Sequence, residues 1–195
     1  MRNESHGQRN KSLLEPWLEN LRVKRIIKYL PLNGNVCDIG CGYNADFLHK
    51  IKKNISQGFG FDISVNIDMS DQKIILQTAD LNQMIPLPDN MTDAVTSLAV
   101  LEHLTNAQQN INEIYRILKP QGKLLLTTPT PLSKPLLEFL SYRLKIVDPS
   151  EIHDHKHYYD QSEITDLLIN AGFQKTALTL KTWQFGLNNF IIAIK

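Results

Sequence analysis

The 195 residues carry 21 basic and 20 acidic side chains, a formal charge of +1, with 42% hydrophobic and 21% charged residues. A chain of that length makes one domain with a core that needs no disulfide or metal staple, and its even charge balance gives no long-range field to draw a nucleic-acid backbone. No stretch approaches the roughly 18 apolar residues of a membrane span, and "MRNESHGQRNKSLLEPW" is polar where a signal peptide has its apolar core; a soluble cytoplasmic protein, with no nucleic-acid partner and no membrane span, is expected.

Leu14, Trp17, Leu18 and Leu21 recur at helical spacing, and Val23, Ile26, Ile27 and Leu30 repeat it about half a turn out of phase. Residues 1–34 therefore read as two short helices or one helix buried on both sides, ended by Pro31, Asn33 and Gly34. "NVCDIG" is a first strand running into glycine, followed by a helix over 44–53 and by strands at "QGFGFDIS" and "KIILQTAD". The chain between these last two strands is too short for more than a stunted helix. Lys50, Lys52 and Lys53 share the 44–53 helix with Phe47, Leu48 and Ile51 and read as a solvated face.

"DAVTSLAV" is the fourth strand; Ile111, Ile114, Tyr115 and Leu118 mark an amphipathic helix that "KPQG" ends, and "KLLLTTP" is a buried fifth strand. Asp160 and Glu163 have capping-box spacing ahead of Ile164, Leu167, Leu168 and Ala171, with Gly172 at the far end. "FQKTALTL" and "NNFIIAIK" form an antiparallel pair. The alternation predicts an α/β fold, a doubly wound, seven-stranded, mostly parallel sheet with an antiparallel last strand, in a single domain spanning 1–195. Such sheets take ligands at the carboxyl ends of their strands, where Asp38, Asp62 and Asp80 all fall.

In "GCGYNADFL" the glycines let the backbone approach a ligand closely, and a carboxylate ending the next strand can accept both hydroxyls of a ribose. The dinucleotide fingerprint lacks its third glycine, and Asp46 in the first helical turn would repel a pyrophosphate. Cys37 and Cys41 are spaced C-x3-C, the wrong interval for a redox pair, and with no second pair they do not make a zinc site.

"VCDIGCG", "GFDIS", "TADL", "LPDNMTDAV", "LAVLEHL" and "EIYRILKPQGKLLLTTP" resemble, in order and spacing, the successive motifs of class I S-adenosylmethionine-dependent methyltransferases, in particular the small-molecule branch. The resemblance runs from Val36 to Pro129, with a weaker echo in "HDHKHYYDQSEITDLLINAGF"; Asn44, where the family usually has glycine, and the shortened segment after Asp62 depart from it. It implies a Rossmann-like methyltransferase fold and an enzyme that binds S-adenosyl-L-methionine. By position, Gly40 and Gly42 would approach the methionine part and Asp38 would orient that loop or the amino group. Asp62 would bind the ribose, Ile63 would pack on the adenine, and Asp80 and Leu81 would meet the adenine edge. Leu98 and Ala99 would line the methyl-donor side.

Methyl transfer needs alignment and a water-poor site, and a base only where the acceptor must lose a proton. Glu102 and His103 come directly after the fourth strand, where an acceptor must approach. In "EIHDHKHYY", His153, His155 and His157 would share one face of an extended backbone. A base, a metal site with Glu151, or a hydrogen-bonded lid all fit that face; His157 with Tyr158 is the first choice for the active site, ahead of His153, and no metal is expected. Residues 130–159, with Pro131, Pro135, Leu136, Phe139 and Leu140, read as an insertion forming a lid or acceptor pocket. The expected reaction is methylation of a small molecule, most readily at oxygen, with a lipid- or glycan-borne acceptor allowed. A module that binds the cofactor without catalysis and acts through a partner protein, or a nicotinamide oxidoreductase, are the alternatives.

Overall fold

The computed structural model describes Ser5 and residues 15–138 and 154–195, with the side chains of 15–19 and Glu138 left aside. In chain order these residues form α1 (Glu15–Ile26), β1 (Asn35–Ile39), α2 (Asp46–Ile51), β2 (Gln57–Asp62), β3 (Ile74–Thr78) and β4 (Thr92–Leu98). They continue as α3 (Ala107–Ile117), β5 (Leu118–Pro129), α4 (Ser133–Glu138), α5 (Gln161–Ala171), β6 (Leu178–Trp183) and β7 (Asn188–Ile194). The seven strands lie in the order β3-β2-β1-β4-β5-β7-β6. All neighbouring pairs from β3 to β5 are parallel, while β7 runs antiparallel to both β5 and β6.

Alternation along each strand divides the core between the two faces of the sheet. Cys37, Ile39, Leu124, Leu126, Ile191 and Ala193 meet Ile111, Ile114 and Ile117 of α3 and Ile164 and Leu168 of α5 on one face. Val36, Leu125 and Phe190 meet Val23 and Ile26 of α1 and Phe47, Leu48 and Ile51 of α2 on the other. On this second face Gly58 and Gly60 are required sterically: a Cβ at either would lie 2.7 Å from Ile74 Cδ1 or 2.6 Å from Leu76 Cδ2, and within 3.3 Å of Leu48. Without side chains at those points, α2 can settle onto β2.

The helix ends obey the expected chemistry. Asp160 and Glu163 close a reciprocal capping box at the start of α5, and Gly172 ends it in the left-handed region at φ 115°. Between β2 and β3 the crossover shrinks to a single turn, Ile67–Met69. Lys50 and Lys53 are exposed, and Lys52 pairs with Asp71.

Leu118, expected in the helix, leads the strand instead. Its backbone is extended (φ −69°, ψ 136°) and it pairs with Thr92, while the ammonium of Lys195 donates to the carbonyls of Tyr115 (2.7 Å) and Leu118 (2.8 Å). A cation at the end of α3 meets carbonyls that the helix cannot satisfy internally. The strand expected at "FQKTALTL" likewise begins only at Leu178, because Lys175–Ala177 form a helical turn. At the N-terminus, α1 gives way to one turn, Ile27–Tyr29, and Arg25 lies 5.4 Å from the centre of the Trp183 ring and 5.3 Å from that of Phe190. Leu14 falls outside the described residues.

Two measurements test this packing. Arg116 joins the loop before β4 to α3: its guanidinium bonds Glu113, Asp89 and the carbonyls of Ile85 and Leu87, and Glu113 also accepts from the backbone of Ile85. Arg116→Met strips the buried Glu113 carboxylate of its cation and is expected to lower the unfolding free energy by about 1.5–3 kcal/mol in urea titrations. Adding Glu113→Gln should recover part of that loss. Cys37 and Cys41 are both buried, and burial, reinforced by Asp38, pushes their thiols well above the ordinary range. A raised pKa leaves the unreactive thiol form at neutral pH. A thiol reagent should therefore label neither cysteine in the folded protein and both in denaturant.

Candidate active site

The order of the sheet reverses between β1 and β4, so the loops leaving these strands part there and open a crevice at the carboxyl edge. Asp38, in β1, is 3% exposed and accepts a 2.6 Å hydrogen bond from the Thr96 hydroxyl of β4. The chain then turns through Gly40 and Gly42, both left-handed (φ 75° and 74°). A Cβ on Gly40 would fall 2.3 Å from Val100, so no other residue fits there without displacing the segment after β4.

Asp62, at the end of β2, holds this loop. Its Oδ2 accepts from the backbone N–H of Gly42 (2.9 Å) and its Oδ1 from that of Ile63 (2.8 Å). Its Oδ1 also accepts from the hydroxyl of Ser5 at 2.5 Å, and that hydroxyl accepts from the backbone of Ser64 at 2.9 Å. Asp62 therefore receives a hydroxyl donor from a point 57 residues away in sequence. The polar stretch around Ser5 carries no pattern that announces this contact.

Asp80, just beyond β3, is half-buried; its Oδ1 accepts from the backbone and side-chain N–H groups of Asn82 at 3.0 Å. The side-chain amide of Asn110 in α3 donates to the Leu81 carbonyl at 2.8 Å and pins that loop. Ile63 and Leu98 are part-buried, and Ala99 turns left-handed at φ 58° while its N–H donates to the carbonyl of Thr127 on β5. A non-glycine residue in that region costs energy, and such costs gather at functional sites. Ala45, which opens α2, is also left-handed (φ 50°), so the strain beside Asn44 falls on its neighbour.

Beyond Ala99 a single turn, Leu101–His103, carries Glu102 and His103. Glu102 is 1% exposed and accepts from the hydroxyl of Thr128 at 3.0 Å. Its backbone carbonyl accepts from Lys156 (2.8 Å) and His157 (3.4 Å), fastening the distant histidine segment to this turn. His103 Nδ1 donates to the Asp154 carbonyl at 3.4 Å, and the rings of His103 and His155 meet edge to face at 4.8 Å. His155 Nδ1 lies 2.9 Å from the Tyr158 hydroxyl.

Of the three histidines expected to share a face, the two described meet different partners. His155 joins Glu102 and His103, whereas His157 Nε2 donates to Glu163 Oε1 at 2.8 Å, and its ring lies 4.5 Å from that of Tyr159. Glu163 already belongs to the capping box of α5, so His157 is drawn to a helix start. His153, Glu151, Phe139 and Leu140 lie outside the described residues. Thr96 and Thr128, which hold the two carboxylates, carry no signal in the sequence beyond their place on strands bordering the crevice.

The sequence pattern of a methyltransferase domain family matches residues 11–178. Among curated proteins, a probable S-adenosylmethionine-dependent methyltransferase of Mycolicibacterium smegmatis is 28% identical over 144 residues, 72% of this chain and 52% of that protein. The mitochondrial ubiquinone biosynthesis O-methyltransferase of Dictyostelium discoideum is 29% identical over 214 residues, 90% of this chain and 64% of that one. The chain spans about half the length of the first of these relatives. The crystal structure of a SAM dependent methyltransferase from Archaeoglobus fulgidus shares the fold with a TM-score of 0.69 at 21% identity, covering 92% of this chain and 94% of that one. With the family pattern covering most of its length and this topology behind it, the chain belongs to the class I S-adenosylmethionine-dependent methyltransferases.

Proposed function

We propose that the chain transfers the methyl group of S-adenosylmethionine to an oxygen of a small-molecule acceptor. The observation that carries the reading is the carboxylate of Asp62, held by two backbone N–H groups and meeting a hydroxyl from Ser5 where a ribose hydroxyl would be met. The fit is supported from three sides. Gly40 and Gly42 open the backbone for the methionine part, Asp38 and Asp62 make the rim acidic, and no phosphate-binding glycine triplet is present. An acidic rim favours a sulfonium over a pyrophosphate.

In this reading Asp62 takes the ribose hydroxyls, Ile63 packs on the adenine, and Asp80 and Leu81 face the adenine edge. Asp38 orients the glycine loop or the amino group, and Leu98 and Ala99 line the methyl side. The cofactor supplies an already electrophilic methyl group, so the chain's share is alignment, exclusion of water and custody of the acceptor's proton. For that proton Glu102 and His103 are the favoured group, since they stand together after β4, while His157 is paired with Glu163. The oxygen reading draws on the ubiquinone O-methyltransferase among the relatives.

Residues 130–159 are assigned to the acceptor side. Leu132 (73% exposed) and Leu136 (40% exposed) lie on and beside α4, and Thr130 is tied by two hydrogen bonds to the β6–β7 turn. That turn exposes Phe185 fully. Apolar side chains on this side suit a partly hydrophobic acceptor. Among the described residues no helix is long and apolar enough to cross a membrane.

Calorimetry with S-adenosylmethionine, S-adenosylhomocysteine and NADH tests the cofactor. Both adenosyl ligands should bind, and NADH binding in their place would overturn the reading. Asp62→Asn should weaken S-adenosylmethionine by roughly 10- to 100-fold, the range of a charge-assisted hydrogen bond; an unchanged affinity would remove Asp62 from the ribose contact. Ser5→Ala should bind the cofactor at least as tightly as the native chain, because the serine hydroxyl competes for the same carboxylate. With an acceptor identified by transfer of labelled methyl from cell extracts, His103→Ala should lower kcat and leave cofactor affinity in place.

A further inference from the structure

We propose that Glu102, His103 and His155 form a binding site for a divalent transition cation of the zinc type. Each residue offers one ligand atom, and these atoms all lie within 4.8 Å of one another. Ligands at about 2.0–2.2 Å from a tetrahedral ion sit about 3.4 Å apart, so the trio needs to draw in by little more than an ångström. Two imidazoles and one carboxylate are a donor set suited to zinc, cobalt or iron rather than to magnesium or calcium, and three protein ligands leave a coordination position open.

The surroundings are built as an outer shell should be. A ligating histidine ordinarily gives its other ring N–H to an oxygen, which fixes its tautomer and orientation. Here His103 Nδ1 donates to the Asp154 carbonyl and His155 Nδ1 lies 2.9 Å from the Tyr158 hydroxyl, contacts that orient both rings. Thr128 holds one oxygen of Glu102, and the backbone bonds from Lys156 and His157 to the Glu102 carbonyl keep the two arms of the site together. Glu102 is buried, and a buried carboxylate is stabilised by a cation. The arms come from segments about fifty residues apart, which explains why the spacing of the histidines alone, read as one face with Glu151, pointed to a different ligand set.

The role of the ion rests on the methyltransferase reading above. The cluster stands one turn beyond Ala99, on the acceptor side of the crevice. An acceptor hydroxyl held at the open position releases its proton to solvent more readily. Its oxygen then forms the new bond to the methyl carbon as the carbon–sulfur bond breaks, and the sulfonium becomes a neutral thioether. Glu102 and His103 then act on the acceptor's proton through the ion they hold, and His103→Ala lowers kcat by loss of that ion.

The test uses the full, untagged chain, freed of metal with a chelator. Titration with zinc chloride should show one saturable site, cobalt chloride should develop visible bands of a tetrahedral ion, and magnesium chloride should do neither. His155→Ala and His103→Ala should bind zinc at least about tenfold more weakly, and Tyr158→Phe should weaken it by about 10-fold. Circular dichroism of each variant confirms folding. Absence of saturable zinc binding in the native chain, or binding that none of the three folded variants weakens, overturns the site. S-adenosylmethionine titrated into the same samples separates the two claims: cofactor binding without zinc binding defeats only the metal site, and zinc binding without cofactor binding defeats only the methyltransferase reading.

Discussion

The carboxylate of Asp62 accepts hydrogen bonds from the N–H groups of Gly42 and Ile63, and through them the loop after β1 and the turn after β2 become one piece. A second carboxylate, Asp38, is held from β4 by Thr96, so the crevice has a wall on each side of the point where strand order reverses. Buried anions are costly unless such donors meet them. The donors here are mostly backbone groups or short hydroxyls that have little freedom to lose. The segment from the left-handed Ala99 to Glu102 is placed relative to that fixed rim.

The positions of the acidic residues could be read because they depend on strand ends, and strand ends are written in local composition. Asp38, Asp62 and Asp80 each come at the end of a short apolar run, and the fold carries all three to the same edge. The capping box of Asp160 and Glu163 was legible for the same reason, since its partners are three residues apart. Leu118 was misread because periodicity alone gives no account of its pairing with Thr92 or of the Lys195 ammonium beyond it.

The site beyond β4 was only half legible. Glu102 and His103 were visible from their place after the strand, but the choice among the later histidines depended on contacts that spacing cannot encode. A competing local partner, Glu163, takes His157, while His155 meets His103 from a distant part of the chain. Ser5 reaching Asp62 is a contact of the same long-range kind. Ala45 and Ala99, both left-handed without being glycine, flank the crevice on the β1 and β4 sides.

The sheet's order also has a bearing on how the protein is made. Synthesis delivers β5 and then β6, yet the two are not neighbours, because β7 lies between them. Until residues 188–194 have emerged, the edge of β5, with Leu124, Leu125 and Leu126, has no strand to pair with, and an unpaired apolar edge invites association between nascent chains. Closure of β5 on that side therefore waits for β7.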